Sequence, residues 1–507
     1  MTLLEAITSQ VSLSAFFHQA LLVFALIVYG YVLVCVLSPD LSFVKRVLYA
    51  YPAGLAAFTV IAFLLVTLHV PYGTLSASIA CMAALCAVCL FRTVLTPKEE
   101  RRECSAGLWN VRGKEAVIAV LLIVILILVS CSGILKVSLS NDSMYNYWFY
   151  PRLIVHFGEI RPNFNTFLTD VGKGVALINT LPFLFGFEET FGIQHMLNLV
   201  FLAMFFTALY EQVNGSRRWV KICFAGAGTL LLASAMPYLL LSKWVLANDY
   251  FAVYMFLCLE LACQPRRTKK PEQPIILLAL FVSTLSLLRI EGGVYAVLLL
   301  LILSISDLTN KELSFALLVP VMILQGLYGA RIFLTMSIIA PYRFLTEEKE
   351  LLLFGVMAAE LVYFLWIRGK VLVKIQKHLG ILILAGLLGV NLLLFVKDAG
   401  LYLQNLHSFA ENILYLGGWG IFPATVLGLY LIGLNRSFRP NLWDLSAFSY
   451  LLYVLIVSFM REGGMKSGVG DSGNRVLLQI VPVLLFAALK HTAYLLEKKE
   501  DSKSKAD

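Results

Sequence analysis

The sequence predicts an all-α polytopic membrane protein, and three observations predict it. Of 507 residues, 60% are hydrophobic and only 14% are charged. Mean hydropathy is +0.83, whereas a soluble domain carries about 25% charge. Apolar stretches of about 20 residues, the length that crosses a bilayer as a helix, recur from Ala15 to Leu496. No stretch is long and polar enough for a separate soluble domain.

Fifteen candidate spans follow from these stretches: 15–37, 47–69, 73–95, 115–136, 190–212, 219–241, 249–263, 274–289, 292–307, 313–333, 351–367, 378–396, 417–434, 443–460 and 476–496. The weakest division is Arg289-Ile290-Glu291-Gly292-Gly293, where two short apolar runs meet at a polar, glycine-rich break. Met1 to Gln10 lacks Lys and Arg, so no cleavable signal peptide is expected, because such a peptide opens on a positive region. The tail from Glu497 to Asp507 is charged and is expected to be disordered.

Charge sets the expected orientation. With the N-terminus outside and the spans alternating, 27 of the 40 Lys and Arg fall on the cytoplasmic side and 13 outside. This is the bias that positive charge imposes on insertion. The net charge of +9 therefore reflects a cytoplasmic face meeting anionic lipid, and no nucleic-acid partner is expected. The nine cysteines show no metal or redox spacing and read as small apolar residues. The seven histidines, His156, His195 and His407 among them, show no paired ligand spacing. No cofactor is expected. The glycine-rich run Gly468 to Arg475 lacks the Lys-Ser/Thr end of a phosphate loop, and Asn141-Asp142-Ser143 matches a glycosylation sequon only by letter.

The segment from Leu139 to Phe187 departs from the apolar pattern. It begins Ser140-Asn141-Asp142-Ser143-Met144-Tyr145-Asn146-Tyr147-Trp148-Phe149-Tyr150-Pro151-Arg152. A carboxylate at a helix mouth followed by Tyr, Trp and Arg is costly to desolvate, which marks a functional site in a membrane protein. Asp142 is the catalytic candidate, because a carboxylate at the lipid–water boundary can deprotonate a hydroxyl held there. The aromatics suit an interfacial belt and a substrate platform equally. Pro151 favours a helix start, so an amphipathic helix is expected over Leu153 to Phe157. With the apolar run Val175 to Phe187, it gives two helices lying along the membrane surface.

The same predicted face collects Arg152, Lys173, Asn248, Asp249, Arg289, Glu291, Arg343, Lys466 and Arg475. Cations and carboxylates at one membrane face suit a ligand carrying phosphate and hydroxyls. For any single Lys or Arg, snorkelling at a helix end explains the position as well.

With Asp142, Tyr145 and Pro151-Arg152 in this order, the chain resembles the GT-C superfamily of membrane glycosyltransferases, in the branch akin to protein mannosyltransferases and aminoarabinose transferases. Asn248-Asp249, the Leu288 to Gly293 break and Gly473-Asn474-Arg475-Val476 continue the resemblance, which covers about residues 115 to 490. Tyr145 to Pro151 is longer than the common spacing, and Asn146 stands where a His is frequent.

The resemblance implies a GT-C-like helical bundle with juxtamembrane helices in the first large outer loop. Three N-terminal spans and a basic cytoplasmic loop (1–114) would precede a core at 115–496 with its outer loop at 137–189, and the tail would be 497–507. It implies a bacterial cytoplasmic-membrane enzyme with a polyprenyl-phosphate-linked sugar donor and a glycan, lipid or protein acceptor. Asp142 would be the base in an inverting attack, with Tyr145 beside it. Arg475, with Lys466 or Arg343, would hold the lipid phosphate. No paired acidic motif stands beside Asp142, so no metal is expected. A flippase for lipid-linked saccharides and a polysaccharide polymerase or ligase are the alternatives. The first is disfavoured by the absence of an internal repeat, the second by its usual late loop.

Overall fold

The computed structural model describes residues 13–39, 41–95, 113–132, 143–160, 173–188, 191–213, 216–263, 272–303, 378–434, 440–460 and 465–504, with isolated positions between 305 and 362. Among them every regular element is a helix. In order these are α1 (Leu13–Leu37), α2 (Phe43–Thr67), α3 (Thr74–Leu95), α4 (Gly113–Cys131), π1 (Ser143–Phe149), α5 (Tyr150–Phe157), α6 (Gly174–Ile178), α7 (Thr180–Leu184), α8 (Phe191–Gln212) and α9 (Arg218–Ser234). They continue as α10 (Met236–Leu241), α11 (Ala247–Ala262), α12 (Glu272–Leu288), α13 (Ile290–Leu303), α14 (Leu379–Lys397), α15 (Ala399–Glu411), π2 (Asn412–Leu416), α16 (Phe422–Leu434), α17 (Leu442–Met460) and α18 (Ser472–Ser504).

Among the described residues six helices are long and apolar enough to cross a membrane: α1, α2, Gly192–Gln212 of α8, α14, α17 and Ser472–Ala493 of α18. Shorter apolar helices lie at Thr74–Leu90, Val117–Cys131, Gly174–Leu184, Ile276–Leu288, Gly292–Leu303 and Phe422–Gly433. This is a multi-pass helical membrane protein. The expected span 313–333 lies outside the described residues, as does most of 351–367.

The bundle is built around α2 and α11. Gly30 and Gly54 let α1 and α2 touch backbone to backbone, since an added Cβ on Gly30 would overlap the Ala50 carbonyl. Small residues allow that approach in apolar surroundings, where packing rather than water exclusion holds helices together. Pro52 lies within α2. Three hydrogen bonds to backbone carbonyls fix α2 to its neighbours: Tyr51 Oη donates to the Ile193 carbonyl at 2.8 Å, Tyr254 Oη to the Pro52 carbonyl at 2.8 Å, and Thr284 Oγ1 to the Ala56 carbonyl at 3.5 Å. Every residue of α11 is buried. By contrast, α14 exposes most of its apolar side chains, including Leu393 and Val396, as a lipid-facing helix does.

Four sequence expectations change. The stretch 219–241 breaks at Ala235 into α9 and α10. Pro237, which follows Met236 at the start of α10, offers no N–H to a continuing helix, and a proline disfavours helical geometry in the residue before it. The run 175–187 forms two short helices rather than one surface helix. Val175, Leu177 and Ile178 are fully buried because Gly174 seats on the backbone of Leu287 and Leu288, where a Cβ would meet Leu287 at 2.9 Å. The stretch after α14 is helical, as α15 and π2. Finally, α18 runs to Ser504, so most of the expected disordered tail continues a helix, as its Glu- and Lys-rich composition permits.

A polar site at the Asp249 end of the bundle

Asn248 and Asp249 open α11, and both are buried. A carboxylate in the first turn suits the helix dipole. Its partners come from α8, where Gln194 and Asn198, four residues apart, share one face. Gln194 Nε2 donates to Asp249 Oδ2 at 2.9 Å and to the Trp244 carbonyl. Asn198 Nδ2 donates to the Ser242 carbonyl at 3.2 Å. Thus α8 reads both the carboxylate and the backbone of the 242–246 connector that leads into α11.

Arg289 arrives from the break between α12 and α13, where Gly292 N–H closes a turn onto the Arg289 carbonyl at 3.0 Å. Gly292 is required there, because a Cβ would meet the Leu285 carbonyl at 2.6 Å. Arg289 Nη1 donates to Asn248 Oδ1. Arg289 and the Asn248 of the Asn248-Asp249 step, two separate features of the sequence, therefore meet. The backbone of Glu291 lies in the first turn of α13.

A second group adjoins the first through Gly174. Lys173 Nζ sits 4.7 Å from the centre of the Tyr150 ring. The Arg152 guanidinium lies 3.9 Å over Trp148 and 5.0 Å from Phe183. These are cation–π distances, so the aromatics hold the two cations in place. Asn179 Nδ2 donates to the Tyr147 carbonyl at 2.9 Å, tying π1 to the α6–α7 turn. A π-helix is rare and often marks a functional segment. Tyr145 is half exposed on π1. Asp142, directly before π1, lies outside the described residues, as does Arg343.

A third group closes over Trp244. Gly470, at φ +82°, packs so tightly that a Cβ would meet the Trp244 ring at 2.6 Å. This glycine-rich loop is shaped by Asn412, which is fully buried in π2. Asn412 Nδ2 donates to the carbonyls of Ser408 at 2.8 Å and Lys466 at 3.2 Å, and its Oδ1 accepts from Gly468 N–H at 3.1 Å. Lys466 is exposed, and Arg475 lies in the first turn of α18, its N–H bonded to the Asp471 carbonyl at 2.9 Å.

Sequence reading missed Gln194, Asn198, Trp244 and Asn412. The signal for the first two was present, as amides four residues apart in an otherwise apolar helix. Asn412 carries no comparable signal, because its partners lie 54 and 56 residues away. Among the described residues no group of His, Cys, Asp or Glu could hold a metal ion, and the described cysteines form no disulfide. Compared with protein-family profiles, curated proteins and solved structures, the chain matches none.

Proposed function

We propose that the chain is an integral membrane glycosyltransferase. It moves a sugar from a polyprenyl-phosphate donor to a cell-envelope acceptor on the outer face of a bacterial cytoplasmic membrane. The observation that carries this reading is the gathering, at one end of the bundle, of Arg289 on Asn248, Asp249 beside them, and Lys173 and Arg152 on aromatic faces. Asp142 stands ten residues before Arg152 in the chain. As the glycosidic bond breaks, negative charge builds on the leaving phosphate, and cations already fixed in place stabilise it without reorganising. Arg289, Lys173, Arg152, Lys466 and Arg475 are the cations for that role, and Asp142 is the base on the acceptor hydroxyl.

A flippase reading fits less well. It needs a path open alternately to both faces, and the opposite end of α8 and α11 is closed by a buried ion pair of Lys45 with Glu260.

The test replaces Asp142→Asn, which keeps shape and removes basicity. Transfer should fall about 10²- to 10⁴-fold, the usual worth of a general base, while donor-lipid binding survives. Undiminished turnover would remove Asp142 from the mechanism. Orientation is checked separately, with a cysteine at the exposed Tyr145 in a cysteine-free background. It should react with an impermeant reagent added outside.

A further inference from the structure

Five polar atoms at the Asp249 end have no hydrogen-bond partner among the described residues: Asp249 Oδ1, Gln194 Oε1, Asn248 Nδ2, Tyr238 Oη and Tyr250 Oη. All five residues are 5% exposed or less. Tyr238 and Tyr250 both lie close enough to Asp249 to interact with it electrostatically. Buried polar atoms are nearly always paired, and each exception calls for an explanation. Five in one corner of the bundle call for a common one.

We infer that these atoms form the subsite for the hydroxyl groups of the sugar ring carried on the donor phosphate, an inference that rests on the glycosyltransferase reading. The chemistry of the set selects the ligand. Asp249 Oδ1 and Gln194 Oε1 accept, Asn248 Nδ2 donates, and the two tyrosine hydroxyls do either. A hydroxyl both donates and accepts, so a ring bearing several can satisfy all five. A phosphate only accepts and would meet the Asp249 carboxylate. A metal ion would be opposed by the Asn248 amide and by Arg289 beside it. A hydrocarbon chain would leave every one of the atoms unpaired.

Position agrees with chemistry. Asn248 takes Arg289 on its Oδ1 and directly precedes Asp249 in the chain. A phosphate at Arg289 would therefore sit at the same end of this helix as Asp249.

The subsite is closed in this structure, and its cover is specific. Tyr238 sits on α10, the six-residue helix after the break at Ala235, with Met236 and Leu239 exposed on it. Trp244 ends the segment, with its carbonyl on Gln194 and its ring pressed by Gly470. Entry of the ring displaces the Met236–Trp244 segment rather than any membrane-crossing helix.

The test uses the full chain purified in detergent. Probes are undecaprenyl phosphate and its glucose, mannose, galactose and aminoarabinose esters. The wild-type protein should bind at least one ester more tightly than the bare phosphate lipid. Asp249→Asn should weaken that ester about 10- to 150-fold, the worth of a hydrogen bond to a charged group, and leave the bare lipid unchanged. Tyr238→Phe, which keeps the ring and cannot disturb packing, should also reduce the preference. If the wild type prefers an ester and both variants keep that preference, the subsite is wrong and the glycosyltransferase reading stands. If no ester is preferred, the five atoms hold ordered water only and the inference falls. If no polyprenyl phosphate binds at all, the reading beneath it falls as well.

Discussion

At one end of α8 and α11, Lys45 Nζ lies 2.8 Å from Glu260 and 2.6 Å from Glu211, with its own side chain 8% exposed. At the other end of the same two helices, Asp249 has only amide partners and no ion pair among the described residues. Gln194 and Glu211 are 17 residues apart on α8, so the two groups are separated by about 25 Å at 1.5 Å per residue. A further cluster repeats the first pattern. Asp444 is fully buried and accepts from Asn441 N–H at 2.9 Å and Tyr430 Oη at 3.1 Å, with His491 Nε2 at 3.0 Å. Charge at the Lys45 end is answered within the protein. Polar atoms without a hydrogen-bond partner occur near Lys45 too, Tyr49 Oη among them, but the Asp249 end gathers five, a carboxylate oxygen included. The difference separates residues that hold the bundle from residues that use it.

The comparison breaks most visibly at Lys45. Lys45→Met removes the partner of buried Glu260 and should destabilise the protein by about 3–5 kcal/mol, the usual cost of orphaning a buried charge. Thermal unfolding in detergent measures it. The double variant Lys45→Met with Glu260→Met should recover most of the loss, because an apolar pair of similar volume replaces a buried ion pair at little cost.

Asn412→Ala should cost about 1–3 kcal/mol, since the Lys466 carbonyl and Gly468 N–H lose their buried partner. Hydrogen exchange should rise first at Gly468 and the loop around it. An unchanged exchange pattern would show that π2 does not shape this loop.

Asp249→Asn sharpens the contrast from the other side. Replacing a buried carboxyl that has amide partners only should leave the melting temperature unchanged or higher while ligand binding falls, the usual trade at a functional site. A large loss of stability there would make Asp249 a structural residue like Glu260.

The smallest effect concerns pH. Hydrogen bonds from Ser467 at 2.7 Å and Tyr415 at 3.0 Å, with His407 nearby, hold the half-buried Glu411 carboxyl below its usual range. A depressed carboxyl favours the fold above its unfolded pKa, and that contribution fades as pH falls through the lowered folded value. The bond from the Ser467 hydroxyl should therefore weaken only below about pH 4, read as lost protection of the neighbouring Gly468 amide. Glu411→Gln should flatten that dependence.

Much of this was legible in the residues, for local reasons. The break at Arg289 to Gly293 could be read because glycine and charge interrupt an apolar run. The start of α11 at Asn248-Asp249 and the start of α5 at Tyr150-Pro151 could be read from the chemistry of helix ends. The buried seat of α6 could not. A short apolar run looks the same on a membrane surface and inside a bundle, and the backbone contact of Gly174 with Leu287 decides between them.

The sequence by itself determined that the chain is a multi-pass helical protein, and it determined where most helices begin. Bilayer length and helix-end chemistry act over a few neighbouring residues. Only the tertiary structure decided that Lys45 meets Glu260 across 215 residues, that Arg289 meets Asn248 across 41 and that Gln194 meets Asp249 across 55. In apolar surroundings hydropathy scarcely distinguishes one helix face from another. Which faces meet is settled by close backbone approach at glycines and by the few polar side chains that must find partners away from water.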